Sequence, residues 1–74
     1  MEKVICKPCV YFLYRDNDLV YVGKTANIYL RIGQHIIEGQ KKFDSFEYFF
    51  TEDADCLEAI LIKILKPIYN KLGK

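Results

Sequence analysis

Arg31 and His35 stand four residues apart in a stretch whose isoleucines recur at 28, 32 and 36. On a helix their side chains project from one face, about one turn apart. Arginine brings a planar fork that matches two phosphate oxygens and stays charged. Histidine brings a proton acceptor or donor near neutrality. Glu58 lies in a second run that is apolar nearly all round, with Leu57, Ile60, Leu61, Ile62, Ile64 and Leu65. A carboxylate in such a setting is costly unless it is paired or holds a metal. Magnesium is often held by one or two protein carboxylates, with waters and substrate phosphate completing its shell. Asp55, earlier in the same run, reads as a looser second ligand or, preferably, as a charge suited to the first turn of a helix. A fixed cation, a proton acceptor and a metal-capable carboxylate together suit phosphodiester hydrolysis.

The elements that must position these groups are legible. Val10 to Tyr14 and Leu19 to Val22 are β-branched and aromatic runs flanking Arg15-Asp-Asn-Asp18, a turn-forming cluster, and they read as a β-hairpin. Asn27 is a helix N-cap, and the isoleucine period carries the helix to about Glu38, stopped by Gly39. Phe46 to Thr51 is a third strand. Asp53 caps a second helix from about Ala54 to Leu65, and its all-round apolarity predicts a place in the middle of the fold. Pro67 opens a short last segment through Asn70. The expected fold is α+β, a three-stranded antiparallel sheet flanked by helices in the order β-β-α-β-α, with a short C-terminal helix.

Placed on these elements, Cys9-Val-Tyr11 and Tyr21-Val-Gly23 form two short strand motifs whose tyrosines are ten positions apart. Lys24 and Thr25, Arg31, His35, Glu58 and Pro67-Ile-Tyr-Asn70 then follow in order. In this ordered set the chain resembles the GIY-YIG nucleases from about Val10 to Asn70. One departure is plain: the glycine that opens the first motif's name is Cys9 here. That puts local backbone packing in question more than chemistry. The resemblance implies a divalent-metal-dependent DNA endonuclease with one ion, Mg2+ or Mn2+, on Glu58. It implies a site of Tyr11, Tyr21, Lys24, Arg31, His35, Glu58 and Asn70. In that reading Tyr11 takes a proton from the attacking water, Tyr21 orients phosphate or water, and Asn70 anchors the last segment against the hairpin or the metal's water shell. Free tyrosine, with a pKa near 10, is only about one part in a thousand ionised at neutral pH. A cation from Lys24 or His35 would favour the phenolate. Alternatively His35 is the base and Tyr11 orients the water.

Each residue also has a plainer reading. Tyr11 and Tyr21 fit strand aromatics in a core. Arg31 fits a solvated charge or a partner for Glu38, and His35 a helix surface residue. Glu58 fits a buried glutamate paired to Lys63 or Arg31, and Asn70 a helix-end residue. Six such coincidences in family order are what the structural-only reading requires.

Composition sets the remaining limits. With 74 residues there is room for one domain, expected to span residues 1–74 with no separate DNA-binding domain. The net charge is +1, from 11 basic and 10 acidic residues, so affinity for a phosphate backbone must come from a few placed cations. Lys24, Arg31, Lys41 and Lys42 are the candidates for DNA contact. That modest charge also motivates an alternative: a catalytically weak or inactive binding or adaptor module on the same fold, working with a protein partner. A homodimer through Phe43 to Phe50 is a further possibility. No apolar stretch approaches the roughly 18–20 residues that span a bilayer. The N-terminus has too short an apolar region for a signal peptide, so a soluble intracellular protein of cytoplasm or nucleoid is expected. Cys6-Lys-Pro-Cys9 is a lone C-x-x-C. It fits a redox pair or half a zinc site completed by Cys56 and His35 less well than apolar residues at a strand edge.

Overall fold

Two strands rich in β-branched and aromatic residues can pair tightly only if the turn between them twists the right way, and Asp16 and Asn17 supply that twist. Both sit at positive φ, 54° and 70°, as a type I′ hairpin requires. In this computed structural model, which describes residues 7–72, they join β1 (Cys9–Arg15) to β2 (Asp18–Thr25). Helix α1 (Ile28–Glu38), strand β3 (Ser45–Phe50) and helices α2 (Ala54–Leu65) and α3 (Ile68–Leu72) follow. The sheet is antiparallel with strand order β2-β1-β3, so β1 is central and most of its side chains are buried. The third strand begins and ends one residue earlier than its sequence pattern suggests.

A bulge between Leu13 and Tyr14 shifts the β1–β2 register. It sends two successive residues, Val20 and Tyr21, to the same side of the sheet. On that side they pack with Tyr11, Leu13, Ile28 and Ile32, and Tyr69 of α3 closes the cluster. On the other side Val10, Val22 and Ala54 pack with Phe12, Leu57 and Leu61. Helix α1 thus covers one face and α2 the other.

The ends of α1 are set as its sequence suggests. Asn27 accepts a hydrogen bond from the Leu30 amide at 3.1 Å, and Gly39 closes the helix in the left-handed region at φ 68°. Helix α2 differs from expectation. It has the expected limits, but its first amide turn is tied by Thr51, whose hydroxyl accepts from the Asp53 N–H, and the Asp53 side chain makes no capping bond. Nor is it central: only Ala54 is buried, and Ile60, Ile64 and Leu65 are exposed, Ile64 at 68%. A single three-stranded sheet can cover one side of a helix, so an apolar circumference does not by itself bury one.

Candidate functional site

Three elements converge on one phenol. Tyr11 points from β1 towards α1, and its Oη lies 2.7 Å from Nε2 of His35. Arg31, one turn before His35, donates from Nε to the same oxygen at 3.4 Å and from Nη1 to Gln34 Oε1 at 2.9 Å. Tyr21 completes the cluster, its ring centroid 6.0 Å from that of Tyr11 and 5.4 Å from that of His35. Lys41 sets its ammonium 5.0 Å from the Tyr21 ring centre, a cation–π distance. Tyr11 is 0% and His35 1% exposed.

Gly23 makes this placement possible. It is the cross-strand partner of Tyr11, and a Cβ there would stand 2.5 Å from Tyr11 Cζ and 2.6 Å from Oη. The phenol lies across bare backbone, which only glycine leaves open. Cys9, at the glycine position of the first motif, is fully buried in the same cluster.

Burial decides the protonation states. It pushes the Tyr11 phenol well above its usual range; the Arg31 hydrogen bond pulls the other way, and Tyr21 adds to the rise. Tyr11 is therefore a hydroxyl, not a phenolate, at neutral pH. His35 is held below 6.5, first by burial and then by the charges of Arg31 and Lys41, which leaves a neutral imidazole. With Arg31 donating to the phenol oxygen, the matching tautomer has Tyr11 donating to Nε2 and the ring proton on Nδ1. That Nδ1 is buried without a partner among the described residues.

Lys24, Glu58 and Asn70 lie on the opposite side of β2 or at its edge. Lys24 donates to Asp55 Oδ1 at 2.6 Å. The cation beside the phenol is accordingly Arg31, not Lys24. The Asp55 hydrogen bond raises Lys24 most, and the charge of Glu58 contributes, so Glu58 lies near this pair. Glu58 is half-buried and has no hydrogen bond or ion pair to the described residues; neither Lys63 nor Arg31 is its partner. The cost argument built on an apolar interior does not hold, because α2 is a surface helix. Asn70 holds Val22 with both ends of its amide, accepting from N–H at 2.8 Å and donating to C=O at 2.9 Å, which fixes the last segment against the hairpin. Of the four cations, Arg31 and Lys41 flank the phenol cluster, Lys24 pairs with Asp55 on the α2 side, and Lys42 is exposed.

The family model for the GIY-YIG catalytic domain matches residues 7–71. The chain belongs to the GIY-YIG family. This is a family of nucleases, and the match covers both tyrosine motifs and every predicted site residue. No solved structure matches the chain. The GIY-YIG assignment agrees with the three-stranded α+β architecture. No helix among the described residues is long and apolar enough to cross a membrane.

Two partners escaped the sequence reading of this GIY-YIG chain. Gln34, which holds the Arg31 guanidinium, was findable, being three residues along the same helix. Phe43, edge-on to His35 at 6.4 Å, comes from a connection with no periodic signal. The zinc or redox reading of the cysteines gains nothing. Cys6 lies outside the described residues, Cys56 is exposed, and burial pushes the Cys9 thiol up, away from the thiolate a metal needs. His35 is already engaged by Tyr11, and no group of three or more His, Cys, Asp or Glu side chains is close enough among the described residues to hold a metal by itself.

Proposed function

We propose that the chain is a divalent-metal-dependent endonuclease that hydrolyses phosphodiester bonds in DNA. The observation that carries this reading is the shared oxygen of Tyr11, 2.7 Å from a neutral His35 and capped by Arg31. A protonated phenol is a poor base, but it can pass a proton on. As water attacks phosphorus, its proton moves to Tyr11 Oη while the phenol proton moves to His35 Nε2, and the leaving oxygen departs with the electron pair of the broken P–O bond and takes a proton from solvent. In this relay His35 is the final acceptor and Tyr11 the group that touches water. Arg31 has five N–H donors, of which two are used. The others are available to neutralise the scissile phosphate as charge builds. Tyr21 borders the same phenol and orients the phosphate or water.

Glu58 fits a single hard cation. It is half-buried and free of protein partners among the described residues, whereas Asp55 is occupied by Lys24. One available carboxylate suits an ion that keeps most of its waters and takes the rest of its shell from substrate. When bound, magnesium or manganese supplies polarisation of the phosphate and stabilisation of the leaving oxygen. Asn70 acts indirectly, holding β2 in place between the phenol side and the Glu58 side.

The test is cleavage of supercoiled plasmid and branched DNA by the parent and Glu58→Ala, in magnesium, manganese or EDTA. Metal-dependent nicking that falls at least about 100-fold in the variant is expected for loss of a metal ligand; equal rates would refute the assigned mechanism.

A second reading is a binding or adaptor module with negligible turnover, brought to DNA by a protein partner. One observation favours it: Tyr11 and His35 are both closed to solvent, so water reaches the phenol only if Arg31 yields. Tight DNA binding without magnesium, together with no cleavage under any metal, is the result that would select it.

A further inference from the structure

One side of the β3 backbone is unused among the described residues. Thr51, just past the strand, donates its amide to the Pro8 carbonyl at 3.0 Å. Bonds along an antiparallel pair alternate, so in the β1–β3 register Glu47 and Phe49 turn their N–H and C=O towards β1. Phe46, Tyr48 and Phe50 turn theirs away, and no other element bonds to them among the described residues. The same alternation turns Val22 outward on β2, as its two bonds to Asn70 show.

Side chains make this strand adhesive. It contains no proline or lysine, and its pairing has no bulge, the usual means of closing an exposed strand. Its one charge, Glu47, is engaged by the Tyr14 hydroxyl at 3.1 Å. On the α1 side Phe46, Tyr48 and Phe50 form an aromatic row. Tyr29, 59% exposed, reaches Tyr48 at 3.4 Å. On the α2 side Phe49 stacks on Phe12 and is still 41% exposed.

We propose that β3 pairs antiparallel with β3 of a second copy about a twofold axis at Tyr48, giving a continuous six-stranded sheet. The sequence of the strand selects both the occupant and the register. Residues directly opposite share a face of the sheet, and only two centres, Glu47 and Tyr48, keep most of this strand paired. Centring on Glu47 sets two carboxylates directly opposite each other, which is destabilising. Centring on Tyr48 sets Tyr48 opposite its counterpart, Phe46 opposite Phe50 of the second copy, and Glu47 opposite Phe49 of the second copy. Phe46, Tyr48 and Phe50 then meet the outward groups of the same three residues, and the twofold closes the assembly at two chains.

Tyr11 is the cross-strand partner of Tyr48. The two Tyr11 residues therefore fall in one row, three strand spacings or about 14 Å apart, with both phenols on the same face. In the nuclease reading this turns two sites towards one duplex; the pairing itself does not rest on that reading.

The experiment needs no metal and no DNA. The full chain in EDTA is followed by sedimentation equilibrium and by amide hydrogen exchange, from micromolar to millimolar concentration. The mass is expected to rise from 8.7 kDa to twice that. Exchange at Phe46, Tyr48 and Phe50 should slow with it, at least about tenfold, while Glu47 and Phe49 are slow throughout. Phe50→Pro removes one outward N–H, which an outer strand position tolerates, and is expected to stay folded and monomeric. If that variant unfolds, the exchange pattern of the parent decides alone. A mass fixed at 8.7 kDa, a dimer whose three outward amides still exchange fast, or a folded Phe50→Pro that still pairs would each overturn the proposal. So would protection of those amides that does not vary with concentration, as cover by residues 1–6 would give. If plasmid cleavage fails in every metal but mass and protection rise together, the nuclease reading falls and the pairing stands.

Discussion

On the α1 side of the sheet Tyr11 and His35 are buried and bonded to each other, with a half-buried Arg31 beside them; on the α2 side the polar groups stand in or near water. Tyr11, His35 and Arg31 form one connected set around a phenol with no exposed surface. Lys24, Asp55 and Glu58 lie across β2, with Asp55 87% exposed in its side chain. The first arrangement is held by packing, and a small change there is felt through the whole cluster. The second is held by weak surface electrostatics and tolerates substitution. In the proposed mechanism, a site that spans one strand in this way would couple a rigid half that sets proton transfer to a soft half that adapts to an ion and its waters.

The largest effect is expected from Gly23→Ala. The new methyl overlaps the Tyr11 ring, which is fully buried, and overpacking of this kind costs about 1–3 kcal/mol. A phenol displaced by about 1 Å also lowers cleavage roughly 100-fold. Thermal melting and plasmid nicking read the two effects, and a variant that melts with the parent would break the picture of a rigid half.

Tyr11→Phe should follow. It keeps the ring but strips Nε2 of its partner, which costs about 1–3 kcal/mol in urea unfolding, and it would remove the proposed relay. Stability close to the parent's would mean that the buried contact is not what holds His35 in place.

The pH response of stability comes next. Because His35 is held below its unfolded value of 6.5 by burial first, the unfolded chain binds more protons just below pH 6.5, so stability rises with pH there. The contribution is fully present above about 6.5 and is lost as pH falls through the folded value. Melting temperature should climb between about pH 5 and 7, and His35→Gln should flatten that slope. A slope unchanged in the variant would move its origin to other groups.

The smallest effect belongs to the α2 side. Asp55→Ala breaks a 2.6 Å pair, yet both partners reach solvent, and the melting temperature should stay within error of the parent. A clear loss would show that the soft half is stiffer than its exposure indicates.

How far these halves were readable from sequence differs in the same way. The hairpin, the α1 helix with its Asn27 cap, and the shared face of Arg31 and His35 all follow from local spacing, because each is settled within a turn or two of chain. That Tyr11 meets His35 depends on helix docking across 24 residues, and only the family resemblance anticipated it. The sidedness of Lys24 was within reach: alternation along β2 puts it with Val22, not with Tyr21. The burial of α2 was misjudged because composition reports how much apolar surface a helix carries, not how much sheet there is to cover it.

The Asn70 amide has a consequence beyond the site. Strand β2 is an edge, and an edge offers unpaired amides and carbonyls to any extended chain that passes. At Val22 both groups are already taken by a side chain that imitates a neighbouring strand, while the outer edge of β3 has no such guard among the described residues. Growth of this sheet by another strand, whether in assembly or in aggregation, is therefore one-directional, open at β3 and stopped midway along β2.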